Sequence, residues 1–214
     1  VLFKQVFLYY FICRNVDALI FDTDIVICND IQNELNEKLN EDVDIQIMDE
    51  ELWPRFNVNI SQSSFRFNTG FMLVKSTESN KKFFQKWISD GFIEKHALSS
   101  ENQFRFNFIL RNNGTVVYRN YEKNDIKIQL PFNDHFNLTF HFLNPIKFIN
   151  FCSFIGDFSH MNRFRRDFIE ETVKYAKIMN LTRPSLVHFA CAIRSTKKRV
   201  FEKFDYNEIY YDNL

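Results

Sequence analysis

The chain has 214 residues, long enough to bury a core without disulfide staples. Its 27 Lys and Arg balance 27 Asp and Glu, so no global field draws it to nucleic acid or to an anionic membrane. The four glycines, Gly70, Gly91, Gly114 and Gly156, lack the spacing of a dinucleotide fingerprint, a P-loop or a kinase glycine loop, so any phosphate must be held by other groups.

In chain order, residues 2–14 have the pattern of a nearly all-round apolar helix that stops at Asn15. Residues 18–21, Ala-Leu-Ile-Phe, read as a strand apolar on both faces, the mark of a central, parallel strand covered by helices. The acidic, Asn-rich stretch 32–44 reads as a solvated helix or loop. Strands are expected at 44–48, 65–67 and 71–75, the last two on either side of Asn68-Thr69-Gly70. Helical period marks 79–90 and 101–111, and strands are expected at 116–118 and 126–130. An aromatic loop at 132–151, an amphipathic helix at 162–179 and a last strand at 185–189 complete the chain before a basic turn. Strands alternating with helices predict a single α/β domain over 1–214 with a mixed, mostly parallel sheet flanked by helices and some antiparallel content in the middle.

Cys13, Cys28, Cys152 and Cys191 lie far apart, with no zinc-type spacing. Cys13 and Cys28, in or beside apolar runs, read as small buried hydrophobes, although one bridge among the four stays open. Sequons at Asn59, Asn113, Asn137 and Asn180 would suit a lumenal protein. The apolar run at 6–12 is too short to span a membrane. Val1 opens directly in a helical pattern, so the expectation is a fragment whose beginning is missing, with any anchor upstream.

The strand at 18–21 runs straight into Asp22-Thr23-Asp24. In open α/β sheets ligands bind beyond the carboxyl ends of strands, so two carboxylates stand where a site belongs. Acids so close repel unless a cation or a shared proton relieves them, and Mg²⁺ or Mn²⁺ shared with a phosphorylated ligand does so. A strand-end turn with a capping Asp is the plainer alternative.

This D-x-D grammar resembles two families. In phosphatases of the haloacid dehalogenase class the first Asp, here Asp22, is a nucleophile and the second a general acid. Thr77 or Ser76, Lys147 and Gly156-Asp157 stand for that family's later motifs, but Met161 replaces an acid, Ile25 replaces a Gly, and a whole helix precedes what should be the first strand. Residues 2–205 resemble the nucleotide-diphospho-sugar transferases more fully, through the helix-strand-D-x-D opening, the stretch Phe67-Asn68-Thr69-Gly70-Phe71 followed by Phe83-Phe84 and Trp87, and Glu101-Asn102-Gln103-Phe104-Arg105-Phe106-Asn107. In the last phrase Asn102 stands where the family usually has an acid. The fourth element is Leu186-Val187-His188-Phe189, followed by Arg194, Lys197, Lys198 and Arg199.

The resemblance implies a GT-A fold and a sugar transferred from a nucleotide-diphosphate donor, a UDP-sugar first of all, to a glycan, protein or lipid acceptor. It implies that Asp22, Asp24 and His188 bind Mn²⁺ or Mg²⁺, that Asn68, Thr69, Gly70, Asn102, Lys197 and Lys198 contact the donor, and that Glu101 and Gln103 serve catalysis. It also implies a Golgi or ER lumenal enzyme anchored by an upstream segment, with the first strand and its nucleotide-base loop missing from this chain. Each element has a plain structural reading beside it. Asn68 suits an Asx turn, Glu101 a helix first turn, and Lys197-Lys198-Arg199 a solvated helix start. With Asn102 departing from the family phrase, a catalytically inactive binding domain of the same fold remains a further reading.

Overall fold

A computed structural model describes residues 3–38, 41–49, 67–93, 102–120, 125–131, 135–144, 147–150 and 185–188. The helix expected at 162–179 lies outside these residues, as do Gly156, Cys152 and Cys191.

Helix α1 (Phe3–Ile12) buries Gln5, Leu8 and Ile12. Its opposite side, Phe3, Val6, Phe7, Tyr10 and Phe11, is exposed despite being apolar. The helix ends as expected at Asn15, whose φ of 59° is the left-handed conformation a C-terminal cap requires and which Asn tolerates better than most residues. Asn15 N–H donates to Ile12 O at 3.1 Å and Val16 N–H to Phe11 O at 3.2 Å, the paired closing bonds of a Schellman cap. Cys13, expected inside, falls on this turn and is exposed; Cys28 is half-buried.

The remaining elements are β1 (Ala18–Phe21), β2 (Ile25–Ile27), α2 (Gln32–Asn36), β3 (Ile45–Asp49), β4 (Phe67–Val74), α3 (Glu78–Ile93), α4 (Asn102–Asn113), β5 (Thr115–Asn120), β6 (Asp125–Leu130), β7 (Phe136–Phe142), β8 (Phe148–Asn150) and β9 (Leu186–His188). The described residues fall into two compact units, and the chain passes from the first to the second between Asp22 and Thr23 and returns between Asp30 and Ile31.

The first unit holds a six-stranded sheet in the order β1-β4-β3-β7-β6-β5. Its neighbours are antiparallel except for β3 with β7, which corrects the expectation of a mostly parallel sheet. Strands β5, β6 and β7 follow one another after connections of only a few residues, which suffice for hairpins and not for the crossover that parallel pairing demands. Strand β1, expected to be central and parallel, pairs antiparallel with β4 and among the described residues lies at the sheet edge. Leu19 and Phe21 are accordingly 40% and 48% exposed. A run of four apolar residues marks a strand but carries no information about how many neighbours it has.

Two further differences bear on the site. Residues 67–74 form one strand rather than two strands around a turn. The turn chemistry is present inside it: Asn68 Oδ1 accepts Gly70 N–H at 2.8 Å, and the register against β3 jumps from Ile47↔Met72 to Met48↔Asn68, so β4 bulges between those pairs. The aromatic stretch expected as a loop contains β7, whose Phe136, Leu138, Phe140 and Phe142 are buried with period two, and β8.

The core of this unit explains the phenylalanine content. Helix α1 packs on α3, α3 on α4 and β7, and α4 on β4 and β6. Phe106 of α4 meets Trp87, Phe83, Phe67 and Phe140 edge-on, with ring centroids 4.9, 5.2, 5.7 and 6.2 Å away. Such pairs contribute about 0.5–1.5 kcal/mol each beyond the area they bury.

The second unit contains a three-stranded sheet in the order β2-β9-β8. Strand β9 runs antiparallel to β2, with Ile25 opposite His188, and parallel to β8, with Phe148 opposite Leu186. Cys28 N–H donates to Ser185 O, and the N–H groups of Ser185 and Leu186 donate to Lys147 O, which ties the three strands together at one end.

Candidate active site

In the first unit, Asp22 follows directly on β1, and its N–H donates to Gly70 O at 2.7 Å. Lys4 reaches from α1 to donate to Asp22 Oδ1 at 2.8 Å and also to Thr69 O. Helix α4 approaches the same stretch of β4 from elsewhere. Gln103 Oε1 accepts Thr69 N–H at 3.2 Å. Asn107, one turn on and on the same helical face, accepts Phe67 N–H on Oδ1 at 2.8 Å and donates Nδ2–H to Phe67 O at 2.7 Å and to Gln103 O at 2.9 Å. Asn68, Thr69 and Gly70 are all buried; the Thr69 backbone is met from α1 by Lys4 and from α4 by Gln103, and the Gly70 backbone by Asn68 and Asp22. A carboxamide that pairs with both the N–H and the C=O of one residue acts as a latch, because it satisfies a donor and an acceptor beyond the end of the β1–β4 ladder at Phe21↔Phe71.

In the second unit, Asp24 precedes β2 and His188 closes β9. The register that sets Ile25 opposite His188 brings Asp24 Oδ1 to 3.4 Å from His188 Nε2, with side-chain exposures of 15% and 3%. That separation exceeds the usual hydrogen-bond range. It matches two atoms sharing one ion: ligand bonds of about 2.1 Å at tetrahedral to octahedral angles leave the donors roughly 3.0–3.4 Å apart.

Of the other expected residues, Asn102 opens α4, while Glu101, Lys197 and Lys198 lie outside the described residues. The hydroxyls required by the phosphatase alternative have structural partners. Ser76 Oγ–H donates to Ile12 O at 2.6 Å, and Thr77 Oγ1–H donates to Asp44 Oδ1 at 2.7 Å while Oγ1 accepts Asn80 N–H at the start of α3. His141, unassigned from sequence, pairs with Asp125 across β6 and β7 at 2.7 Å. Lys4 and Asn107 are the site-lining residues that sequence reasoning passed over. The available signals were that Lys4 is the only charged residue in α1 and that Asn107 stands four residues after Gln103.

A strand-terminal acid pair and a histidine at the end of a second strand are thus both present, with Asp24 and His188 side by side. The family model for nucleotide-diphospho-sugar transferases matches residues 3–201, and the chain belongs to this family of glycosyltransferase-type enzymes. No curated protein and no solved structure matches it.

Proposed function

We propose that the chain is a metal-dependent glycosyltransferase of GT-A type that moves a sugar from a nucleotide-diphosphate donor, a UDP-sugar first of all, to a hydroxyl of a glycan, protein or lipid acceptor. Asp22, Asp24 and His188, the residues that match the family's metal-binding pattern, would hold the divalent cation. The observation that carries this reading is the Asp24–His188 pair, fixed by strand register at a spacing that suits one ion and is long for a hydrogen bond. An imidazole among the donors favours Mn²⁺ over Mg²⁺. The bound ion supplies Lewis-acid charge to the diphosphate as it leaves.

The chain's own residues then have separable tasks. Asp24 and His188, set side by side by strand register, would provide two of the cation's ligands, and Asp22, held at the end of β1, would add its carboxylate. Lys197 and Lys198 would neutralise the departing diphosphate. Asn68, Thr69, Gly70 and Asn102 would contact the donor, with Gln103 acting through the Thr69 amide that it holds. The acceptor oxygen bonds to the anomeric carbon as the bond from that carbon to the diphosphate oxygen breaks, and Glu101 would take the acceptor proton. A lumenal location is part of the proposal, supported by sequons of which the one at Asn137 is exposed.

The departure at Asn102 keeps a second reading alive, an inactive domain of the same family that still binds nucleotide. Titration calorimetry with UDP and Mn²⁺ separates binding from its absence. Release of free sugar from UDP-sugars then separates an active enzyme from a binding domain.

A further inference from the structure

We propose that Lys4 is a positioning residue whose ammonium clamps the Asp22 carboxylate to the bulged Thr69-Gly70 segment of β4, and so sets the attitude in which Asp22 meets a divalent cation. This rests on the metal-dependent transferase reading above.

Three bonds in the first unit close a ring. Lys4 Nζ donates to Asp22 Oδ1 at 2.8 Å, Lys4 Nζ donates to Thr69 O, and Asp22 N–H donates to Gly70 O at 2.7 Å. Each member comes from a different element: Lys4 from α1, Asp22 from the end of β1, and the Thr69-Gly70 peptide from β4. Asp22 lies just beyond the last ladder pair, Phe21↔Phe71, so the strand pairing alone leaves its side chain undirected. The Lys4 bond holds one of its oxygens toward α1.

The setting of Lys4 points the same way. Lysine side chains on helices ordinarily extend along an apolar surface to keep the ammonium in water. Here the side chain is only 15% exposed, and the helix that carries it has no other charge. A cation drawn inward needs a paired anion and further acceptors, and it has both in Asp22 and Thr69. The geometry also suits lysine better than arginine. An ammonium presents three donors in a cone and can serve a carboxylate and a carbonyl in different directions, whereas a planar guanidinium fork meets them only after a shift.

Two measurements on the full chain test the proposal, using Lys4→Met, which keeps length and removes charge, and Lys4→Arg, which keeps charge and changes geometry. Amide hydrogen exchange without ligand should quicken in Lys4→Met at Asp22 and across 67–74, remain unchanged across β5 and β6, and be partly restored in Lys4→Arg. UDP affinity in saturating Mn²⁺ should fall about tenfold to a hundredfold in Lys4→Met, the loss expected for a charge-assisted bond, with only part of it recovered in Lys4→Arg. Unchanged exchange at Asp22 overturns the clamp. Quickened exchange with unaltered UDP affinity overturns its role in the site, and faster exchange throughout the sheet makes Lys4 a general stabiliser instead. If the wild-type chain takes up no UDP in Mn²⁺, the transferase reading fails by itself, and the exchange result alone decides the clamp.

Discussion

Asp44 accepts from Thr77 Oγ1–H at 2.7 Å and from Thr139 N–H at 2.8 Å, while its own N–H donates to Thr139 O. Burial pushes this carboxyl above its ordinary pKa, and the two donors pull it partly back. His141 moves the other way: burial lowers its pKa, and the bond to Asp125 offsets part of the shift, with Lys38 and Glu41 adding smaller opposed effects. Below the ordinary histidine pKa of about 6.5 the unfolded chain therefore binds a proton that folded His141 resists, and stability falls as pH falls from there toward the lowered value. Asp44 contributes with the opposite sign and in a more acidic window, losing stability as pH rises from the ordinary Asp pKa through its raised one. Urea unfolding between pH 7.5 and 5 should show wild-type stability falling by up to about 1.4 kcal/mol per pH unit more steeply than in His141→Gln. Parallel profiles would refute the assignment. At this scale Asp22, Asp24 and His188 stood out in the sequence as candidates because each ends or follows an apolar strand, and the nearness of Asp24 to His188 is the part the structure adds. Lys4 did not, because standing as the one charge in an apolar helix does not say whether the ammonium turns inward or outward.

Helix α4 and strand β4 meet through the Asn107 latch, and the α4–β5 corner depends on Gly114. A Cβ at Gly114 would lie 2.3 Å from Leu110 O and 2.5 Å from Ile128 Cγ2, a backbone atom on one side and a buried side chain on the other. Gly114→Ala should therefore destabilise by about 1–3 kcal/mol, read as a lowered denaturant midpoint with unchanged slope. An unaltered midpoint would mean that the corner relaxes freely. Asn107→Ala removes the bonds to the N–H and the C=O of Phe67 and should cost about 2–3 kcal/mol, with exchange quickened along the start of β4. Wild-type exchange there would show the latch to be dispensable. Helix positions were readable from period, as in α3 and α4, and so was the stop at Asn15. Strand direction was not, since an apolar run such as 18–21 looks the same whether its partner is parallel or antiparallel. The alternation of Phe136, Leu138, Phe140 and Phe142 with Asn137, Thr139 and His141 is a half-buried strand pattern that the sequence already carried, passed over in a stretch read as a loop.

Across the whole chain, the scarcity of glycine and the balanced charge led away from backbone phosphate cradles and toward side-chain ligands, and membership of the nucleotide-diphospho-sugar transferases over residues 3–201 agrees with that direction. Among the described residues no helix is long and apolar enough to cross a membrane. Two local geometries stand out, Asp24 with His188 on β2 and β9 in one unit, and Asp22 held by Lys4 and Gly70 at the end of β1 in the other. The proposed function assigns both to a divalent cation. Calorimetric titration of UDP into the full chain, with Mn²⁺ and then with a chelator, tests this most directly. The expected result is UDP binding that requires Mn²⁺ and disappears in both Asp24→Ala and His188→Ala while their circular dichroism stays that of the wild type. UDP binding of equal strength in chelator, or undiminished in the two variants, would contradict it.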